Sequence, residues 1–362
     1  MRILTVVGNR PQFIKAAAVS GLLRKEHQEV LVHTGQHYDD SLSAVFFSEL
    51  GLARPDRELG IGGGSNTGQT ARMLAALEPL LKEAEPDAVL VYGDTNSTLA
   101  GGLAAAQAGI PVVHIEAGMR SFDRSMPEEL NRVLTDHLSD LLLCSSDTAA
   151  ENLQAESVSG RVEVVGDVMV DVALRWQPAA RTNAEVPGAY GLQPGCYLLL
   201  TAHRAGNVDD PDRLRALVEL IEALPRPILF PLHPRTRARL RDAGLLEELE
   251  QPGGLHLTEP LGYVEFSALV CQARAVVTDS GGVQKEAYLA SVPCVTLRSN
   301  TEWVETVSTG WNTLVDLDVA AALAALDSTP PTDSAPAHGG PNPYGDGHAA
   351  ERCVQAIGTL EG

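Results

Sequence analysis

Short apolar runs alternate with helix-patterned segments from the first residue of this 362-residue chain, and that alternation most restricts its fold. Runs at 3–7, 30–33, 88–92, 111–115, 141–144 and 162–165 read as buried strands. After the loop Gly8-Asn9-Arg10, Pro11 suits the first position of a helix whose apolar stripe is Phe13, Ile14, Ala17, Ala18 and Leu22. Further helical patterns cover 67–84, 96–108, 128–138 and 147–155. This βαβα order predicts a parallel, doubly wound sheet with right-handed crossovers.

A polar stretch rich in Pro and Ala at 177–191 marks a domain boundary, after which the pattern restarts. Strands are expected at 196–201, 228–231, 255–257, 275–278 and 294–297, with helices at 211–223, 235–249, 263–272 and 282–290. Residues 328–347, rich in Pro, Gly, Ser and Asp, read as a long surface connection before an amphipathic helix at 349–357. The α/β chain thus divides into a Rossmann-like domain over 1–176 and a second over 190–340, facing a cleft.

Two strands of the first half end in acids. Asp94 follows the run 88–92 in AVLVYGDTNSTLAGG, and Glu116 follows 111–115 in PVVHIEAGMRS. Glu128, in MPEELNR, opens the next helix. Ligands of open parallel sheets bind at the carboxyl ends of the strands, so carboxylates converging there suggest proton chemistry on a small polar substrate. Singly, each acid has a plainer explanation. Asp94 could cap the helix near Asn96, and Glu128 would suit the positive end of its own helix. Glu116 lacks that excuse and needs a partner, for which Arg120 and Arg132 are the candidates.

Other segments suggest anion binding. Arg10 opens a helix after a strand, with Lys15 one turn in, and such helix starts accept phosphate. Thr278-Asp279-Ser280-Gly281-Gly282 has the same placement in the second half, with Glu286 placed to reach a ribose hydroxyl. An ordinary capped helix start would use the same residue types. His203 and His233 end consecutive strands of the second half, where ligand contact outweighs a structural role. Neither GxxxxGK[ST] nor GxGxxG occurs after a strand. His114-x-Glu116 matches a zinc-deaminase opening, but no PCxxC follows, and no CxxC pair accompanies the histidines to suggest a structural zinc.

The bulk properties exclude several classes. A net charge of -20 opposes sequence-independent nucleic-acid binding, so any anion site must be a local basic pocket. Five scattered cysteines without a CxxC pair point to a reducing, cytoplasmic setting. The start MRILTVVGNR turns polar too soon for a signal peptide, and no apolar run is long enough to span a membrane.

Taken together, GNRPQFIK, TGQHYD, YGDTNSTLAG, HIEAGMRSF, MPEELNR, VGDVMVD, TAHR, PLHPRTR, DSGGVQKEA, TEWVET and NPYGDG resemble the non-hydrolysing UDP-N-acetylglucosamine 2-epimerases, in order and over nearly the whole chain. The resemblance implies the two-domain GT-B fold, with a final helix at 349–360 packing back on the first domain, and a cytoplasmic homodimer without cofactor or metal. It also implies inversion at C2 of UDP-GlcNAc to UDP-ManNAc, a precursor of surface polysaccharides, by elimination of UDP to a glycal and re-addition. Asp94, Glu116 and Glu128 would then be acid/base candidates. Arg10, Lys15, His203 and Arg204 would face the diphosphate or leaving group, and His233 would be among the substrate-binding residues. Ser280, Gly281, Gly282 and Glu286 would hold phosphate and ribose, and Phe266 the uracil.

Two departures stand out. Gly206 occupies the place of a frequent Glu after the His-Arg pair. YGDTNSTLAG, VGDVM, PLHPRTR and TEWVET look closer to a branch acting on UDP-2,3-diacetamido-glucuronate, which leaves the sugar open. Asp39 differs from the residue expected in TGQHYD, so no activation by substrate at a second site is expected. The alternatives are a hydrolysing epimerase, a GT-B glycosyltransferase and a nucleotide-sugar sensor.

Overall fold

The computed structural model describes residues 1–36, 51–250, 253–328 and 342–361. They form two compact units, Met1–Leu174 with Asn342–Gly362, and Arg175–Pro341. Each unit is a wholly parallel sheet with helices on both faces, as the strand–helix alternation requires.

In the first unit the strands are β1 (Arg2–Val7), β2 (Gln28–His33), β3 (Arg57–Glu58), β4 (Ala88–Tyr92), β5 (Val112–Ala117), β6 (Leu141–Cys144) and β7 (Arg161–Val164). Among the described residues they lie in the order β3-β2-β1-β4-β5-β6-β7. Both faces of β1 are covered, which is why Ile3, Leu4, Val6 and Val7 are apolar and the buried Thr5 needs the Glu29 carboxylate as its hydrogen-bond partner, at 2.8 Å. Ile3 and Val7 join a core with Phe13, Val19 and Leu23 of the helix Arg10–Glu26. Leu4 and Val6 face the other way, against Met73, Leu77 and Ala100 of the helices Asn66–Ala84 and Asn96–Gln107.

The terminal helix Ala349–Gly358 buries Ala350, Cys353, Val354 and Ile357 in the first of these cores. Each fully buried large aliphatic side chain contributes about 2 kcal/mol. Asp171 fixes its start, accepting the N–H groups of Ala349 at 3.1 Å and Ala350 at 2.9 Å.

The second unit has β8 (Leu198–Thr201), β9 (Ile228–Pro231), β10 (Leu255–Thr258), β11 (Ala275–Thr278), β12 (Cys294–Thr296) and β13 (Asn312–Leu314). Their order among the described residues is β10-β9-β8-β11-β12-β13. Leu198, Leu200 and Phe230 pack on one face against the helices Pro211–Ala223 and Val319–Asp327, while Leu199, Leu229 and Val276 pack on the other against Tyr263–Cys271.

The stretch 177–191 is helical over much of its length: the helix Val168–Thr182 continues through Pro178, and Glu185–Ala189 forms another short helix. The division between units falls inside the first of these helices. Gln272 secures its end by donating to the carbonyls of Ala180 at 2.8 Å and Asn183 at 2.9 Å. The single helix expected at 235–249 is two, Pro234–Asp242 and Leu246–Glu250. Gly244 ends the first in the left-handed region at φ 71°, a conformation that glycine adopts without a Cβ penalty.

Candidate active site

Strand order reverses between β1 and β4 in the first unit and between β8 and β11 in the second. At such a reversal the loops leaving adjacent strands diverge and open a crevice at their carboxyl ends. The charged residues singled out in the sequence cluster at these two places.

In the first unit the β1 and β4 loops are tied together by Gln12. Its amide oxygen accepts the Gly8 N–H at 2.7 Å, and its nitrogen donates to the Tyr92 carbonyl and the Thr98 hydroxyl at 2.8 Å each. Gly8 has no room for a side chain: a Cβ there would lie 2.0 Å from the Ser97 hydroxyl. Asn9 caps the helix that Arg10 begins, accepting the Gln12 N–H at 3.2 Å.

Lys15, from that helix, forms an ion pair with Glu116 of β5, and both are buried. The expected partners of Glu116, Arg120 and Arg132, are engaged elsewhere. Arg120 holds Asp136 and Glu156 at 2.7 Å each, while Arg132 holds Asp94 at 2.5 Å and Glu129 at 2.9 Å. Lys15 reaches Glu116 past Gly93, where a Cβ would stand 3.1 Å from the ammonium and 3.2 Å from the carboxylate. Asp94 is the next residue. The structure therefore brings Asp94, Glu116 and Lys15 together around one glycine.

Glu116 itself has φ 69°, in the left-handed region, at a register shift between β5 and β6. Such backbone persists only where neighbouring contacts over-determine it. Asp94 does not cap the following helix, whose cap is a reciprocal Thr95–Thr98 capping box. Its carboxylate instead faces Arg132, and Asn131 donates to its carbonyl at 3.0 Å.

The other acids of MPEELNR divide in an unexpected way. Glu129 is buried and shapes the loop before it, accepting the N–H groups of Ser121 and Phe122 at 2.9 Å each. Glu128, half-buried in the first helical turn, makes no hydrogen bond or ion pair among the described residues. It lies four residues before Arg132, on the same helical face.

The buried centre beneath these acids is not apparent from the sequence. Asp136, fully buried, accepts from His114 and Arg120, both at 2.7 Å, and from the Gly118 N–H at 3.1 Å. Burial alone would raise its pKa, but His114 and Arg120 outweigh that and hold it below the ordinary aspartate value.

In the second unit Asp279 has the corresponding role. Fully buried after β11, it accepts the N–H groups of His203 at 3.0 Å and Arg204 at 2.9 Å, and the Asn207 amide at 3.2 Å. The next helix, Gly281–Leu289, follows Ser280 without a side-chain cap among the described residues, so it is not an ordinary capped start. Gly281 is required by close approach, because a Cβ would lie 2.3 Å from the Glu302 carboxylate. Gly282 faces open space, with nothing described within 4 Å of its Cβ position.

His203 stacks on His233 with ring centroids 5.2 Å apart, so the two strand-end histidines do meet. His233 also accepts the Arg235 N–H at 3.1 Å and caps its own helix. Arg204 lies 3.7 Å from Glu302, which pairs with Arg298 at 2.9 Å. The Lys285 ammonium sits 4.1 Å from the centre of the Trp303 ring. Glu302, Arg298 and Lys285 are additions to the residues expected here. Lys285 and Glu302 have a signal in the sequence, the density of charge in DSGGVQKEA and TEWVET beside apolar strands; Arg298, outside both segments, has none.

Glu286 is half-buried on the helix after Gly282. Phe266 is buried in the core with Leu192, Tyr197 and Val276. Gly206 is exposed in the short helix Ala205–Val208, where nothing described would meet a Cβ. Asp39 and His37 lie outside the described residues.

Two doubly wound parallel-sheet units, each with a polar cluster at its strand-order reversal, define a protein of the GT-B-like α/β class. The family model for UDP-N-acetylglucosamine 2-epimerase matches residues 22–358, and the chain belongs to that family. A UDP-N-acetylglucosamine 2-epimerase homolog of Methanococcus maripaludis is 43% identical over 361 residues, covering 99% of this chain and 100% of its own. The UDP-2,3-diacetamido-2,3-dideoxy-D-glucuronate 2-epimerase of Pseudomonas aeruginosa is 43% identical over 372 residues, with the same coverage. The crystal structure of Methanocaldococcus jannaschii UDP-GlcNAc 2-epimerase with UDP-GlcNAc and UDP superposes with a TM-score of 0.90 at 40% identity, covering 99% of this chain and 100% of that one.

Proposed function

We propose that this chain is a non-hydrolysing UDP-N-acetylglucosamine 2-epimerase, an isomerase interconverting UDP-GlcNAc and UDP-ManNAc in the cytoplasm for surface polysaccharides. The observation that carries this reading is the convergence of Asp94, Glu116 and Lys15 around Gly93 at a strand-order reversal. C2–H of the sugar has no adjacent carbonyl, so its proton leaves as UDP leaves C1. A carboxylate takes the proton, the C–H pair becomes the C1–C2 double bond, and the C1–O pair departs with UDP. Re-addition of the UDP oxygen at C1, with a proton delivered to the opposite face of C2, gives the epimer.

In this scheme Asp94, Glu116 and Glu128 serve the proton steps, with Lys15 holding Glu116. Arg10, His203, Arg204 and His233 face the diphosphate. Ser280, Gly281, Gly282 and Glu286 hold phosphate and ribose, and Phe266 backs the uracil. The active form is a homodimer, checked by light scattering of the purified chain.

A second sugar has its own support, because the Pseudomonas aeruginosa enzyme that acts on the diacetamido-glucuronate is as similar as the first relative. The test is an NMR time course in D2O with each UDP-sugar. Deuterium entering C2 of the recovered UDP-sugar supports epimerisation and identifies the substrate. Free sugar plus UDP would mean a hydrolysing enzyme, and unlabelled recovery of both sugars removes the proposal. Asp94→Asn and Glu116→Gln are expected to lose about 10²-fold or more in turnover while still binding UDP.

A further inference from the structure

We propose that Asp136, acting through His114, is a positioning residue that holds the backbone of both strand-end acids, an inference that rests on the epimerase reading. Asp136 sits on the helix Pro127–Leu138 and His114 on β5. Both are fully buried and are not among the acid/base candidates.

The carboxylate of Asp136 spans two places. One oxygen meets His114 Nδ1 at 2.7 Å, and the other accepts from the Gly118 N–H at 3.1 Å and from Arg120 at 2.7 Å. The second ring nitrogen of His114, Nε2, lies 2.7 Å from the Gly93 carbonyl. Both ring nitrogens face oxygens, the Asp136 carboxylate on one side and the Gly93 carbonyl on the other. Gly93 directly precedes Asp94, and Gly118 follows Glu116 by two residues. One buried carboxylate thus fixes the chain beside each acid.

Both places need such support. Gly93, Glu116 and Gly118 have φ of 62°, 69° and 80°, all in the left-handed region. Gly93 is also held from its other side, its N–H donating to the Ile115 carbonyl at 3.0 Å. The two strand ends are therefore cross-linked through peptide groups next to the reacting side chains. A shift of about 1 Å in such groups costs about 10²-fold in rate.

Asp136 links the two places because one side chain accepts on both sides. Asp136→Ala would leave His114 Nδ1, the Gly118 N–H and Arg120 without that acceptor and so release both strand ends at once. Asp136→Asn would not test this, because its NH2 can donate to a neutral His114 ring that still donates Nε2–H to the Gly93 carbonyl.

The test measures kcat, KM, UDP affinity and thermal unfolding of the full chain for Asp136→Ala, His114→Ala and His114→Gln. A Gln amide places a donor where Nε2 stands, so it retains the bond to Gly93. Asp136→Ala and His114→Ala are expected to lose about 10- to 100-fold in kcat with UDP affinity within about threefold of wild type. His114→Gln is expected to recover most of that loss.

A folded Asp136→Ala protein with kcat within about threefold of wild type overturns the inference. If that variant does not fold, the histidine pair decides: a higher kcat for Gln than for Ala supports positioning, and equal values overturn it. An active wild type with unimpaired variants removes this inference alone. A wild type that labels neither UDP-sugar removes the epimerase reading and this inference with it.

Discussion

Replacing Arg132 with Met tests whether the ion pairs around the acids organise them or merely decorate the surface. The Arg132 side chain is 3% exposed and bridges Glu129, also 3% exposed, and Asp94, 32% exposed. Removing one member of a buried pair costs about 3–5 kcal/mol, because the other charge stays buried. Glu129 keeps its bonds to Ser121 and Phe122, which places the loss near the low end, at about 3 kcal/mol. The more solvated Asp94 contact adds only about 0–1 kcal/mol. For a unit of this size the sum lowers its melting transition by about 10 °C. Turnover is expected to fall by about 10²-fold, because Asp94 loses its lateral anchor and keeps only the Asn131 bond to its carbonyl. Arg132→Lys should fall between, since an ammonium cannot span both carboxylates as a guanidinium does. Scanning calorimetry and deuterium incorporation at C2 provide the measurements. Wild-type turnover in Arg132→Met, with the transition moved by less than about 2 °C, would refute the reasoning.

Acid stability should depend on Arg120. Burial opposes the ionised form of Asp136, yet His114 and Arg120 depress its pKa, and the Arg120 hydrogen bond depresses that of Glu156. Depressed carboxylates stabilise the fold above the ordinary range near pH 4, and that contribution is lost as pH falls through their folded values. Arg120→Gln should therefore be less stable than wild type at pH 7, with the gap closing below about pH 4; a gap constant with pH in denaturant titrations would contradict this. The glycine pair gives a separate test. Gly281→Ala drives a Cβ to 2.3 Å from Glu302 and should weaken UDP binding by about tenfold or more, whereas unchanged affinity by calorimetry would remove Glu302 and its neighbours from the UDP site. Gly282→Ala meets no described atom within 4 Å, so it should fold normally and lose UDP affinity only through contact with the ligand itself.

The strands are the most legible part of this chain. Residues 88–92, 141–144, 228–231 and 275–278 have the same limits in sequence and structure, because strands buried on both faces are apolar without interruption. The short strands Arg57–Glu58 and Asn312–Leu314 leave no such signal, since each pairs through backbone groups over only two or three residues. Helix continuation through Pro178 is hidden because proline ordinarily marks a break. Asp94 and Glu116 are legible as strand-end acids, but the partner of Glu116 is not. Arg120 and Arg132 are near it in sequence, whereas Lys15 reaches it from the helix after β1, across β4. That reach depends on the bare Cα of Gly93, a steric fact that no spacing of charged residues reveals.

Both strand-order reversals rely on a fully buried acid whose acceptors are turned to backbone N–H groups. Asp279 holds the peptides of His203 and Arg204, and Asp136 holds that of Gly118. A buried carboxylate is costly unless its oxygens are well supplied with donors, so each of these acids demands one loop geometry from its surroundings. Neither serves as a base, because its oxygens are occupied and sealed from solvent. In a chain of net charge -20 the cations at the two reversals are likewise engaged: Lys15 with Glu116, Arg132 with Asp94, and Arg204 and Arg298 with Glu302. An incoming diphosphate would therefore exchange ion pairs rather than meet bare charges. The longest of these contacts, Arg204 to Glu302 at 3.7 Å, is the one that an anion would displace at least cost. Under the proposed reaction Arg204→Met should therefore weaken UDP binding more than Arg298→Met, and equal losses by calorimetry would contradict this.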